Sequence, residues 1–235
     1  MKIMNYEVFT DSLNSLTLSK KQVINTINPH SYVTAKKDKL FYEALQTSDL
    51  LIPDGSGIVI AAKQINKQSI KKIAGADLHK FLLEEMDKKS GKVFYMGAAQ
   101  KTLDKIREKI KVQYPNIIVD SYSPPFKSEF TDEENQIICE KINNFKPDVL
   151  FIGMTAPKQE KWLHQHKDNL DFTISSCIGA VFDFYAGTVE RPNQIWIDLN
   201  LEWLGRLIKE PKRMWRRNFI SAPLFLLDML KFKIK

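Results

Sequence analysis

The 235-residue sequence has few cysteines and no long hydrophobic run, and both deficits exclude classes of protein. Its two cysteines, Cys139 and Cys177, have no CxxC partner and no neighbouring histidine, so we expect buried free thiols in a reducing compartment. No stretch of about 18 or more apolar residues occurs, so no helix is expected to span a bilayer. The first residues lack the apolar core of a signal peptide, which predicts a cytoplasmic protein.

Several motifs for cofactor binding and catalysis are also missing. Gly55 and Gly57 are not followed by the third small residue of a dinucleotide fingerprint, and the loop after Gly97 lacks the second glycine of a Walker A motif. No Asp-x-Asp pair is present, and His164 and His166 are too close in sequence to share a helix face. No Gly-x-Ser-x-Gly elbow supports a serine nucleophile. We therefore expect no metal and no cofactor.

The net charge of +7 is concentrated near the C-terminus. Residues 201–235 contain nine basic and three acidic side chains, so they carry six of the seven net charges. The near-neutral remainder argues against a nucleic-acid partner. Segment 193–208 is predicted to form an amphipathic helix, interrupted at Glu210 and Pro211. Segment 224–233 is apolar and flanked by bases, which is typical of a helix at an anionic membrane interface; docking onto the body is the alternative.

Short apolar runs alternate with amphipathic runs along the rest of the chain. The predicted strands are residues 22–25, 50–52, 92–96, 117–120, 149–153 and 173–178. The predicted helices are residues 31–46, 57–63, 76–88, 101–112, 132–144 and 158–167, the fifth with Thr131 in a capping box. This alternation predicts an α/β fold with a mostly parallel, Rossmann-like sheet flanked by helices. A composition shift near Asn193 predicts a catalytic domain (1–192) followed by a basic, helical C-terminal appendage (193–235).

Polar residues follow several predicted strands, where parallel sheets bind their ligands. Asp54 opens a loop, and a carboxylate there can act as a general base, although Asp-Gly is also ordinary turn chemistry. Thr26 and Asn28 follow a neighbouring strand and carry the same two interpretations. Gln159 and Glu160 open a helix, and their amide and carboxylate could face a ligand or serve in capping. Asp183 lies among apolar neighbours after a buried strand, which usually indicates a partner or a role.

The loops after the predicted strands are also rich in glycine and small polar residues. Loops of this kind, such as those containing Gly55 and Gly97, bind phosphorylated small molecules through backbone N–H groups and helix N-termini.

Taken in order, the motifs of this sequence resemble those of the WecG/TagA/CpsF glycosyltransferases, glycosyltransferase family 26. The resemblance runs from about residue 20 to residue 217 and is carried by Thr26-x-Asn28, Pro53-Asp54-Gly55-x-Gly57-Ile58-Val59, Ile73-Ala74-Gly75-Ala76-Asp77-Leu78, Val93-Phe94-x-x-Gly97, Tyr114-Pro115, Pro147-Asp148-Val149-Leu150, Gly153 with Ala156-Pro157-Lys158-Gln159-Glu160-x-Trp162, Gly179-Ala180-Val181-Phe182-Asp183 with Ala186-Gly187, Arg191, Glu202-Trp203-x-x-Arg206-Leu207, and Glu210-Pro211-x-Arg213 with Arg216.

The resemblance implies an inverting, metal-independent transferase. It would move N-acetylmannosamine or a related hexose from a UDP-sugar to a polyprenyl-diphosphate-linked acceptor, in teichoic acid, cell-wall or exopolysaccharide synthesis. Asp54 corresponds to the proposed catalytic base, with Thr26 and Asn28 beside it, and Gln159 and Asp183 correspond to the nucleotide-sugar pocket.

The resemblance also assigns a role to the appendage, which is thought to close over the site and to bring the enzyme to the cytoplasmic face of the plasma membrane. Its arginines Arg206, Arg213 and Arg216 would contact the diphosphate. Four further bases of the appendage are candidates for the anionic membrane surface; they are Arg217, Lys231, Lys233 and Lys235. A homo-oligomer is compatible with the sequence.

Three departures from the family pattern leave the donor sugar open. Lys72 stands where the family has an arginine, which keeps the charge but loses bidentate phosphate contact. Residues 121–126 replace a glycine-containing stretch, and Ala156 replaces a second glycine. The rival classes are a non-catalytic nucleotide-binding membrane scaffold and a nicotinamide-dependent oxidoreductase acting on a nucleotide sugar; the missing fingerprint argues against the second.

Overall fold

A computed structural model describes residues 1–189 and 202–234, without the side chains of Glu202, Arg206, Lys209, Arg213 and Ile234. The described strands are β1 (Lys2–Ile3), β2 (Tyr6–Glu7), β3 (Gln22–Ile27), β4 (Leu50–Pro53), β5 (Lys92–Gly97), β6 (Ile118–Tyr122), β7 (Val149–Gly153) and β8 (Ile174–Cys177). The described α-helices are α1 (Pro29–Ala35), α2 (Lys39–Gln46), α3 (Ser56–Ala61), α4 (Gly75–Lys88), α5 (Gln100–Gln113), α6 (Asp132–Phe145), α7 (Lys158–His166), α8 (Gly179–Ala186), α9 (Glu202–Lys209), α10 (Pro211–Arg216) and α11 (Ala222–Ile234).

Six of these strands form one parallel sheet in the order β4-β3-β8-β7-β5-β6, and β1 and β2 form a separate antiparallel pair. Successive side chains of a strand point to opposite faces. On β5, Tyr95 accordingly packs with α4, α5 and α8, whereas Phe94 and Met96 pack with α6 and α7. The predicted α/β fold with a mostly parallel sheet is confirmed.

Most predicted elements are present with shifted ends, and two predictions are wrong in detail. Thr26 lies inside β3 rather than after it. The single helix predicted at 31–46 is two helices, because Asp38 caps a new helix by accepting a hydrogen bond from the backbone N–H of Phe41 (3.0 Å). The predicted Thr131 cap is confirmed, since its hydroxyl and the Glu134 carboxylate exchange hydrogen bonds with each other's backbone N–H groups.

The two cysteines are free thiols, and Cys177 is buried while Cys139 is only half-buried. Helix α3 continues into a π-helical turn, Ala62–Asn66, which ends at Lys67 in the left-handed region. Among the residues that the structure describes, no helix has both the length and the apolar character needed to cross a membrane.

The C-terminal appendage is helical, and the predicted interruption at Glu210 and Pro211 separates α9 from α10. A π-helical turn, Arg217–Ser221, joins α10 to α11. Helix α11 packs on α1: Phe225 is fully buried and meets Tyr32 edge-to-face at 5.3 Å between ring centroids. One face of the segment is therefore docked on the body. Residues 193–201, with the domain boundary predicted near 193, lie outside the described residues.

Candidate active site

The crevice expected outside the carboxyl ends of β3 and β8, which are neighbours in the sheet, is the candidate site. After β3 the chain passes to α1 and α2, which share a layer with α7, whereas after β8 it passes to α8, which packs on α4 and α5. Neighbouring strands whose connections leave toward opposite faces mark the point where α/β sheets bind ligands.

Asp54 lies at the edge of this crevice. Its backbone N–H donates to the Ile27 carbonyl at the end of β3 (2.9 Å), which fixes the start of the loop after β4. Thr26 precedes Ile27 on β3, is half-buried and pairs in register with Ile52 of β4. The structure therefore brings the predicted base and Thr26 to adjacent strand ends.

Asn28 caps helix α1, and this occupies part of its side chain. Its Oδ1 accepts hydrogen bonds from the backbone N–H groups of His30 and Ser31, both at 3.0 Å. The capping interpretation of Asn28 is thus confirmed, and its Nδ2 is the group that remains for a ligand.

Gly55 holds the loop of Asp54 against the end of α1. Its φ of 108° lies in a region that only glycine adopts easily, and a Cβ there would sit 3.7 Å from the Asn28 Cβ. The predicted Gly55 and Asn28 are therefore neighbours.

Lys72 lies near the same edge of the sheet, because the next residue, Ile73, is held there by a backbone hydrogen bond. The N–H of Ile73 donates to the carbonyl of Pro53 (3.0 Å), so Lys72 lies beside the residue that precedes Asp54. Its side chain is half-buried.

Gln159 joins the loops that follow β7 and β8. Its buried Oε1 accepts from the backbone N–H groups of Met154 (3.1 Å) and Gly179 (3.2 Å). A single amide oxygen thus holds two strand-end loops in fixed relation. If Gln159 contributes to ligand binding, it does so at the two loops whose positions it also fixes.

Two predicted binding residues stand apart from Asp54. Gly97 has a φ of 112° and a Cβ there would be 2.5 Å from the Gly153 carbonyl oxygen, so glycine is required. However, β5 is three strand positions from β3, which is roughly 14 Å. Asp183 lies on α8, and its Oδ1 accepts from the hydroxyl of Thr188 (3.2 Å) near the end of that helix. The partner expected for this acid is thus a neighbour in the chain.

The appendage arginines have different environments. The side chains of Arg206 and Arg213 are outside the described part, and Arg216 is exposed with its guanidinium 5.5 Å from the ring of Trp215. Arg217, a predicted candidate for the membrane surface, is half-buried. Burial lowers the pKa of His30 on α1 to about 4, and the charge of Arg217 adds to this shift. The membrane role of Arg217 stays a prediction.

Glu160 follows Gln159 in the helix opening, and the sequence predicts that its carboxylate either faces a ligand or serves in capping. It is 5% exposed, its Oε1 accepts from the Gln159 Nε2 (2.8 Å), and its Oε2 has no hydrogen-bond partner among the described residues. Burial raises the pKa of the Glu160 carboxyl to about 7, while the charge of Arg217 acts to lower it. An acid at the start of a helix gives no sequence signal that it is buried.

No cluster of three metal-ligating side chains occurs within the described ranges. The residues predicted for the site instead supply a carboxylate, hydroxyl and amide groups, backbone N–H groups and cations. These groups suit a polar, phosphorylated small molecule.

Comparison with known proteins places the chain in a family. It is 33% identical over 229 residues to an N-acetylglucosaminyldiphosphoundecaprenol N-acetyl-beta-D-mannosaminyltransferase of Bacillus subtilis, covering 97% of this chain and 87% of that protein. Proteins of the same name from Bacillus spizizenii and Staphylococcus aureus are 31% and 29% identical, each over 81% of its length and over 92% and 90% of this chain. The sequence model described as the glycosyl transferase WecG/TagA/CpsF family matches residues 1–235, and the chain is a hexosyltransferase that belongs to this family.

Proposed function

We propose that the protein transfers N-acetylmannosamine or a related hexose from a UDP-sugar to a polyprenyl-diphosphate-linked N-acetylglucosamine acceptor. The product would serve the synthesis of teichoic acid or another cell-surface polysaccharide. One observation carries the proposal: Asp54 is fixed at the mouth of the β3–β8 crevice in a chain whose relatives are named for this transfer.

Asp54 would act as the general base. Its carboxylate takes the proton of an acceptor hydroxyl as that oxygen attacks the anomeric carbon, and the bond from this carbon to the UDP oxygen breaks on the opposite side. The configuration at the anomeric carbon inverts and UDP leaves as an anion. Thr26 would orient the acceptor from the adjacent strand end.

The leaving diphosphate needs positive charge. Arg206, Arg213 and Arg216 would supply it from the appendage, because guanidinium groups match phosphate oxygens in pairs. Lys72 would contribute a point charge from the loop beside Pro53. Backbone N–H groups of the loops joined by Gln159 complete the binding surface.

Asp54→Asn tests the assignment because the amide keeps the shape of the carboxylate but takes no proton. We expect turnover to fall by about 10²–10⁴-fold, with binding of the UDP-sugar unchanged by calorimetry. Asp11→Asn, at an exposed acid, is the matched control and should retain full activity. Transfer to a polyprenyl-diphosphate-GlcNAc analogue is followed by the mass of the product. Normal turnover of Asp54→Asn would contradict the proposal.

The appendage would also hold the enzyme at the cytoplasmic face of the plasma membrane. Its docked helix leaves Leu224, Leu227 and Leu230 exposed, together with Phe219 and Trp215. Apolar and aromatic side chains beside bases suit the interface of an anionic bilayer, where a lipid-linked acceptor is located.

A further inference from the structure

Helix α11 carries apolar side chains on both its buried and its exposed side. Phe225 and Met229 are buried against the body, whereas Leu226, Leu227 and Leu230 are exposed. The burial of apolar surface is non-directional, so a helix of this kind can bury a similar area in several rotations about its axis. A single seat on the body therefore needs polar contacts that only one rotation satisfies.

One polar contact lies where the appendage meets the first turn of α1. The hydroxyl of the buried Ser221 and the His30 Nδ1 share a hydrogen bond of 2.9 Å. Burial lowers the pKa of His30 to about 4, so the imidazole is neutral at neutral pH and the contact joins two uncharged groups. The backbone N–H of His30 also donates to the Asn28 Oδ1 at 3.0 Å. His30 therefore connects the appendage directly with Asn28, one of the predicted site residues.

A second polar contact lies at the other end of α1. The Asp228 Oδ2 accepts hydrogen bonds from the Lys36 Nζ and from the Tyr32 hydroxyl, the latter at 3.5 Å. Asp228 is the only acid in α11, and its side chain is 15% exposed. Rotation of the helix would separate this carboxylate from its donors, and fixing one arrangement of a helix is the best-attested use of a partly buried polar group.

We propose that these two contacts fix the seat and the rotation of the appendage on α1, and that His30 and Asp228 are positioning residues for the reaction. Helix α10 ends at Arg216, directly before the turn that ends at Ser221, so the seat of this turn sets the place of α10. The effect on turnover rests on the proposed function, in which arginines of α10 bind the leaving diphosphate. The docking itself is a separate observable.

Hydrogen exchange on the full chain tests the docking without using activity. We expect His30→Ala and Asp228→Leu each to speed exchange by about fivefold in residues 29–36 and also in residues 217–233, because the same contacts hold both segments. If apolar burial alone seated the helix, the added leucine would slow the exchange instead. Asp104→Leu, at an exposed acid of α5, is the matched control and should change neither segment. Unchanged or slower exchange in either docking variant would overturn the proposal.

A double-mutant cycle separates coupling from independent damage. His30→Ala and Ser221→Ala should each lower kcat by about fivefold with little change in KM for the UDP-sugar, and the double variant should be no slower than either single variant. His30→Asn should restore part of kcat, because its amide can occupy the place of Nδ1. Ser128→Ala, in an exposed loop, is the control and should have wild-type kcat.

The two experiments separate the positioning role from the proposed chemistry. Multiplicative losses in the double variant, or wild-type kcat in the single variants, would overturn the positioning role even if Asp54→Asn confirms the transferase. Faster exchange in both segments with a failed Asp54 test would uphold the docking and reject the proposed chemistry.

Discussion

At the residue scale, ionisation of Glu160 makes the folded protein less stable as the pH rises. Acids whose pKa is lowered by folding have the opposite effect. Its pKa is raised from 4.5 to about 7 by burial, so the folded protein binds more protons than the unfolded chain between these values. Stability therefore falls as the pH rises from about 4.5 to 7. The full effect is about 3 kcal/mol, since each pKa unit corresponds to about 1.4 kcal/mol.

Glu160→Gln should remove this penalty. We expect its free energy of unfolding to exceed that of the wild type by up to about 3 kcal/mol at about pH 8 and by little at about pH 4. Denaturant titrations at the two pH values measure the difference. An equal change at both would show that Glu160 acts through packing and not through ionisation.

Local chemistry made some residues predictable and left others hidden. The capping box at Thr131 and the glycine-rich loop after Asp54 depend on neighbours in sequence, so the pattern identified them. The burial of Glu160 and of Arg217 depends on contacts between elements that are distant in sequence, such as those of the appendage with α1. No spacing within one helix reports such contacts, and the roles assigned to the site residues stay predictions.

At the element scale, Gly57 allows three helices to meet. A Cβ at this position would lie 2.3 Å from the Cγ of Pro29 on α1 and 3.6 Å from the Phe225 ring on α11. Helix α3, which follows Asp54, is therefore in contact with both the cap of α1 and the appendage. Helix α3, which follows the Asp54 loop, and helix α11 therefore both pack around Gly57.

Gly57→Ala should separate these helices. We expect a loss of about 1–3 kcal/mol in stability from overpacking, together with reduced turnover because the Asp54 loop moves with α3. Gly75→Ala is the matched control, since its nearest neighbour is the Ile178 Cγ2 at an ordinary 3.4 Å. Thermal unfolding and transfer assays measure the two effects. Wild-type values for Gly57→Ala would show that α1 and α3 are not held together tightly.

The order of elements was predictable from the alternation of patterns, whereas their neighbours were not. Apolar runs gave the strands because buried parallel strands are apolar on both faces. The break between α1 and α2 was missed because residues 36–38 contain no glycine or proline. The pairing of β3 with β8 joins distant parts of the chain, and alternation alone does not specify it.

At the scale of the whole molecule, the appendage presents different surfaces to the body and to solvent. Phe225 and Met229 are buried against the body, whereas Leu224, Leu227 and Leu230 are exposed beside lysines. The charge excess near the C-terminus was visible in the sequence. Its division between the half-buried Arg217 and the exposed Lys231 required the fold.

Polar substitution of the outer face should weaken membrane binding without undocking the helix. We expect Leu227→Gln with Leu230→Gln to lower affinity for vesicles containing anionic lipid by about tenfold or more, since each loses roughly 1–2 kcal/mol of apolar burial. Sedimentation with liposomes measures this. The matched variant Phe225→Ala, on the inner face, should destabilise the fold instead. Equal vesicle binding by the outer-face variant and the wild type would contradict a membrane role for this surface.

The docking of α11 also has a consequence for the order of folding. Phe225 and Met229 belong to the same hydrophobic cluster as Ile3, Tyr6 and Phe41, so the first strands and helices are completed by a helix that follows every strand of the sheet. Contacts between such distant parts of a chain form late, because closing a long loop costs conformational entropy before the new contacts stabilise the fold. During synthesis, the N-terminal third therefore keeps an apolar surface open until the appendage has emerged and returned to cover it.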